Sequence, residues 1–270
     1  MPAGDDTGND LARSLAKSLA RLEGLLRDLR IAISLCTRLP VAPSAVGEGD
    51  VARASWAFPI AGALIGLIAG TVYWLAERLH IAPSPASVLA LAAGVLLTGA
   101  MHEDGLADTA DGFGGGRTRE KKLEIMRDSR IGTFGACALG LSLLLRWSAL
   151  AALDNTRAVM VALIVAHGAA RSVLPAFMSL VAPARSDGLS SGAGQPPPIS
   201  IAVALGLGIV ALSIGFGLGA MLTGVGLLAA IGILLALLAR RQIGGQTGDV
   251  LGALEQTAEA ALLLLATMLS

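Results

Sequence analysis

Seven stretches of this chain approach the roughly 20 consecutive apolar residues that one helical crossing of hydrocarbon needs. They cover residues 55–76, 86–101, 131–153, 158–181, 199–221, 224–239 and 250–269, with the second and sixth short for a full crossing. Lipid offers the backbone no hydrogen-bonding partner, so such segments must satisfy their own N–H and C=O groups as helices. The expected fold is therefore all-α, a polytopic membrane helical bundle of about seven spans. Composition agrees, since 54% of the 270 residues are hydrophobic and only 15% are charged, where a soluble domain carries about 25% charge. Gly62, Gly66 and Gly70 recur every fourth residue in the first span, a face on which a neighbouring backbone can approach closely.

Charge and cysteine usage exclude other classes. The 20 Lys and Arg balance 20 Asp and Glu, which argues against nucleic acid as a partner. Cys36 and Cys137 fit no metal-ligand spacing and read as small buried hydrophobes. Residues 1–10 form a polar start expected to be disordered. Residues 11–40 repeat Leu11, Leu15, Leu22, Leu26, Leu29 and Ile33 at helical spacing opposite Arg13, Lys17 and Arg21. This is an N-terminal amphipathic helix, either lying on the membrane surface or folded against the rest of the chain. Residues 50–270 would form the membrane-embedded catalytic domain. With the N-terminus cytoplasmic, inside segments hold 16 Lys and Arg, outside loops hold only Arg78 and Arg157, and Arg146 and Arg171 lie within spans. That bias places residues 101–130, 182–198 and 242–249 on the cytoplasmic side.

The second span ends in the run His-Glu-Asp-Gly-Leu-Ala-Asp-Thr-Ala-Asp-Gly at 102–112. At 100° per residue, Asp104, Asp108 and Asp111 fall within about 60° on one helical face. Three anions so placed repel one another beside a membrane, and a divalent cation relieves the repulsion. Carboxylate oxygens alone favour Mg²⁺ or Mn²⁺ over zinc. Glu103 lies 100° off this face and ranks below the aspartates, and His102, roughly opposite Asp104, is a polar interfacial residue or a substrate contact. Residues 127–135 read Arg-Asp-Ser-Arg-Ile-Gly-Thr-Phe-Gly. Arg127 and Arg130 suit either a solvated juxtamembrane face or phosphate oxygens, with Asp128 and Ser129 between them. Arg171, one turn after His167, is an intramembrane charge, functional by default or paired with another such group. Asp249, in Gly-Gly-Gln-Thr-Gly-Asp at 244–249, either caps the last span or adds a carboxylate to the metal site.

Together the runs 102–112, 123–135 and 244–253, with Thr37-Arg38-Leu39-Pro40, resemble the cobalamin synthase (adenosylcobinamide-GDP ribazoletransferase) family, from about Arg30 to the end of the chain. The first two motifs together are highly specific. The resemblance implies a Mg²⁺-dependent membrane transferase at the cytoplasmic face of the bacterial inner membrane. The ribose hydroxyl of α-ribazole, or of its 5′-phosphate, would attack the cobinamide-linked phosphorus of adenosylcobinamide-GDP and release GMP. Asp104, Asp108 and Asp111 would hold metal, and Asp128 or Asp249 would coordinate or take the hydroxyl proton. Arg127, Ser129, Arg130, Arg171 and His102 would bind substrate. Partners are these small molecules and the lipid bilayer, with a homo-oligomer or a complex with other cobalamin-assembly enzymes left open.

Two other classes use intramembrane acids. CDP-alcohol phosphotransferases place an Ala-Arg pair after their first aspartates, whereas Phe113 and glycines follow Asp111-Gly112 here. An ion or metal transporter would set its acids near the midplane of broken helices, while these lie at one edge beside basic residues.

Overall fold

A computed structural model describes residues 6–43, 45–153, 155–186, 188 and 192–269. At its centre α3 (Phe58–Arg78) packs along α8 (Thr156–Ser172). The small-residue face does what its spacing predicts, because a methyl group on Gly62 or Gly66 would run into the carbonyl oxygens of His167 or Leu163 on α8. Helix α8 breaks at Val173, since Pro175 has no N–H to donate, and resumes as α9 (Leu174–Leu180).

The acidic run is not a continuation of the second span. Helix α4 (Pro83–Thr98) ends at Gly99 and Ala100, both left-handed with φ 67° and 60°, and α5 (Met101–Gly115) leaves at 87° to it. Gly99 is required there, since Arg38 crosses directly over it. Ala100, with a Cβ in the same region, is held in a conformation that L residues rarely adopt. Short α6 (Arg119–Ile125) and then α7 (Thr133–Ala151) follow.

Residues expected as the fifth and sixth spans form one helical run, α10 (Pro198–Ile243), broken at Gly217 with φ 84° and ψ 164°. A straight helix would separate Leu212 from Gly224 by about 18 Å along its axis, yet Leu212 Cδ2 lies 3.0 Å from where a Cβ on Gly224 would stand. The run is a helical hairpin, turning at 217 rather than at the expected 222–223. The chain closes with α11 (Gly248–Thr267), whose first turn is capped by the Thr247 hydroxyl. Among the described residues, five helices are long and apolar enough to cross a membrane, or six if α4 and α5 make one span. The hairpin makes the longest of them two, in line with the seven apolar stretches.

Helix α1 (Asp6–Cys36) starts inside the segment expected to be disordered, whose residues 1–5 lie outside the described residues. Its two halves behave differently. Ile31, Ala32 and Cys36 are buried against the bundle, and Asp28 receives Arg53 and the Trp56 indole N–H. Leu15, Leu19, Leu22, Leu25 and Leu26 are uncovered by protein. Of the cysteines, Cys36 is buried but Cys137 is exposed on α7.

Candidate active site

Two glycines bring distant motifs together. Where α5 crosses α11, a Cβ on Gly105 would stand 2.8 Å from the Asp249 carbonyl oxygen, and one on Gly252 3.2 Å from the Gly105 Cα. No side chain separates the backbones, so Asp104 and Asp249, about 145 residues apart in sequence, share one wall of a cavity of about 580 Å³. Asp249 accepts the Thr247 hydroxyl at 3.1 Å and lies 3.7 Å from Arg185. Asp108, one turn beyond Asp104, is half-buried and within electrostatic reach of Asp104, Asp249 and Asp111. The cavity's other walls are mostly apolar, with Val51, Phe58, Leu174, Met178 and Leu251 among them.

Asp111 is held differently. Its carboxylate accepts the backbone N–H groups of Gly132 at 2.7 Å and Gly135 at 2.8 Å, capping α7 from another helix. A Cβ on Gly132 would come within 2.5 Å of that carboxylate, and one on Gly135 would also collide with it, so both glycines are needed for the approach. Asp111 thereby fastens residues 131–135 to the acidic helix. In the adjoining turn Ser129 and Arg127 are exposed, and Arg130 pairs with Asp128 at 2.7 Å. The Arg130 side chain and backbone N–H hold the Asp128 carboxyl down at about 2, which makes it a weak proton acceptor near neutral pH.

Behind this site lies a polar network that the sequence reading did not assemble. Arg146 donates to Glu103 at 3.3 Å and Glu259 at 3.1 Å. Glu259 lies 2.8 Å from His167 Nδ1, Arg171 pairs with Glu255 at 2.5 Å, and Gln256 donates to both Glu103 and Glu255. All are 6% exposed or less. Arg171, expected to grip phosphate, is 1% exposed and committed to this network. His102 connects the two regions, lining the cavity while its Nδ1 lies 3.5 Å from Arg171. His167, Glu255 and Glu259 are the one group among the described residues whose ligand atoms all gather within 4.8 Å. Its two carboxylates are paired with Arg146 and Arg171, so the protein itself compensates their charge. The signal for it was in the sequence: Glu255 and Glu259 sit one turn apart inside a span, and two intramembrane arginines needed partners.

Comparison with known proteins agrees with these motifs. The family model described as cobalamin-5-phosphate synthase matches residues 28–267. The chain is 58% identical to an adenosylcobinamide-GDP ribazoletransferase from Bradyrhizobium diazoefficiens, covering 91% of this chain and 95% of that protein. It is 47% identical to one from Mesorhizobium japonicum over 90% and 94% of the two chains, and 42% identical to one from Ralstonia nicotianae over 88% and 93%. No solved structure matches it. With its acidic helix, its Arg-Asp-Ser-Arg turn and nearly its whole length matched, the chain belongs to the cobalamin-5-phosphate synthase family.

Proposed function

We propose that this protein transfers the adenosylcobinamide phosphate of adenosylcobinamide-GDP to the ribose 3′-hydroxyl of α-ribazole or its 5′-phosphate, at the cytoplasmic face of the inner membrane. The new bond joins that ribose oxygen to the cobinamide-linked phosphorus, the phosphorus–oxygen bond to GMP breaks, and GMP departs. The observation that carries this reading is the meeting of Asp104 and Asp249 on one wall of a largely apolar cavity, within a chain 58% identical to a protein bearing that activity.

The residue types present suit a Mg²⁺ ion, although among the described residues Asp104, Asp108 and Asp249 do not bring three oxygens within 4.8 Å of one another. Asp104 and Asp249 open onto the cavity with Asp108 one turn away and the Thr247 hydroxyl beside Asp249, an oxygen-rich donor set. Asp111 takes less part, since its carboxylate is occupied by α7. When bound, the ion would neutralise charge on the diphosphate. Asp104 or Asp249 accepts the proton of the attacking hydroxyl, a role for which Asp128 is too weak a base. Arg127 and Arg130 stand in the turn that Asp111 anchors, where a diphosphate arriving from water would meet them. Arg185, beside Asp249, adds a further cation.

Purified protein in detergent, given adenosylcobinamide-GDP, α-ribazole and Mg²⁺, should release GMP in step with a corrinoid carrying the ribazole base. Chelation should stop release, and GMP formed without α-ribazole would make the protein a hydrolase instead.

A further inference from the structure

The transfer reaction proposed above leaves open which substrate fills the cavity. We infer that the 580 Å³ cavity is the subsite for the benzimidazole base of the ribazole substrate, with the corrinoid and the guanosine diphosphate outside it. This inference rests on that reaction, and three features of the cavity lead to it.

The first is the division of its walls. His102, Asp104, Asp249 and Glu48 supply the polar groups, while Leu35, Val51, Phe58, Leu174, Met178 and Leu251 are apolar. A ribonucleoside with a methylated bicyclic base has the same division. Its ribose hydroxyls suit the carboxylate wall, and its base suits an aromatic ring and a thioether, here Phe58 and Met178.

The second is charge. Among the described residues no Lys or Arg lines the cavity, and three of its polar groups are carboxylates. An ion held at Asp104 and Asp249 would draw the diphosphate to that wall and the mouth, whereas among the apolar side chains further in its charge would find no partner. The cations are instead Arg185 beside Asp249 and the exposed Arg127 and Arg130.

The third is size. Pockets of roughly 300–1,000 Å³ enclose ligands of drug size, which suits a nucleoside of about 20 non-hydrogen atoms. A corrin macrocycle with its amide side chains is several times larger. It must therefore approach from the open side and present only its phosphorus to Asp104 and Asp249.

Narrowing the apolar wall tests the assignment. Val51, half-buried on α2 (Asp50–Ala54), plays no part in the chemistry above. Val51→Trp should raise KM for α-ribazole at least tenfold and leave KM for adenosylcobinamide-GDP within twofold. It should also penalise the dimethylated base more than the ribonucleoside of unsubstituted benzimidazole, so that the ratio of the two kcat/KM values shifts toward the smaller base. Mere loosening of the fold would not change that ratio. A rise in KM for adenosylcobinamide-GDP alone would put the corrinoid substrate in the cavity and overturn the inference, as would an unchanged base preference. Should Val51→Trp fail to fold, Leu251→Phe makes the same test from α11.

A measurement on the unaltered protein needs no variant. Titrating it with α-ribazole, with no adenosylcobinamide-GDP present, should give saturable binding seen in the base's own fluorescence. Absence of binding there, in protein that turns over normally, also overturns the subsite. If the unaltered protein releases no GMP with both substrates and Mg²⁺, the transfer reaction itself fails, an outcome distinct from either of these.

Discussion

Asp104 and Asp111 lie two turns apart on one helical face but have different surroundings. Asp104 is exposed to the cavity, whereas Asp111 is 7% exposed and accepts two N–H groups at the start of α7. Neutralising each therefore has a different consequence. Asp104→Asn should remove most activity and leave the unfolding temperature in detergent unchanged. Asp111→Asn turns an amide NH₂ toward a backbone donor, and a buried N–H left without an acceptor costs about 1–3 kcal/mol. Its unfolding temperature should fall, and activity should be lost together with order at residues 131–135. Equal stability of the two variants, measured by thermal unfolding, would show that the Asp111 contacts contribute nothing. The i, i+4, i+7 spacing showed that the three aspartates share a face. It could not show that the third is occupied, because its partners lie 21 and 24 residues further on and depend on where α7 begins.

Helix α5 carries functional groups on two faces. Asp104 looks toward the cavity and Asp108 lies within electrostatic reach of Asp249 on α11, while Glu103, 100° away from Asp104, reaches the buried network through Arg146. That angular offset, which ranked Glu103 below the aspartates, is what directs it inward. Arg146 thus links α5, α7 and α11 beneath the site. Removing it leaves Glu103 and Glu259 buried with less compensation, and breaking a buried pair in this way costs about 3–5 kcal/mol. Arg146→Met should lower stability severely, and adding Glu103→Leu should recover part of the loss, because the second change removes one of the stranded charges. Strict additivity of the two changes in thermal unfolding would mean that they do not interact. The sequence displayed these charges one by one. Their pairing depends on the crossing of three helices, which periodicity cannot supply, although the Gly62 and Gly66 face did announce the α3–α8 contact.

At the scale of the molecule, the segments that the Lys and Arg bias assigns to one side must meet if the site is to form, and the structure contains the ties. The backbone of Gln246 pairs with Ala182 and Ala184, joining the loop after α9 to the one that leads into Asp249. Arg119 donates to the carbonyls of Ile243 and Ala184, binding the segment after α5 to both. These contacts require residues 116–119, 182–186 and 243–249 to be on one side of the membrane, as the distribution of Lys and Arg independently indicates. The apolar stretches were legible because a helix that crosses hydrocarbon must be apolar along its length. The turn at Gly217 was not, because glycine is common throughout these helices and only one of them adopts this conformation. Because α10 is a hairpin, both its ends lie on the side of residues 116–119, the side expected to be cytoplasmic, while Gly217 is expected across the bilayer. Reporter fusions should therefore behave as cytoplasmic after Gly116 and after Ile243, and as periplasmic after Gly217. A cytoplasmic signal at all three would mean that α10 does not cross. A periplasmic signal after Gly116 would invert the bundle and place Asp104 and Asp249 on the side away from the nucleotide-linked substrate.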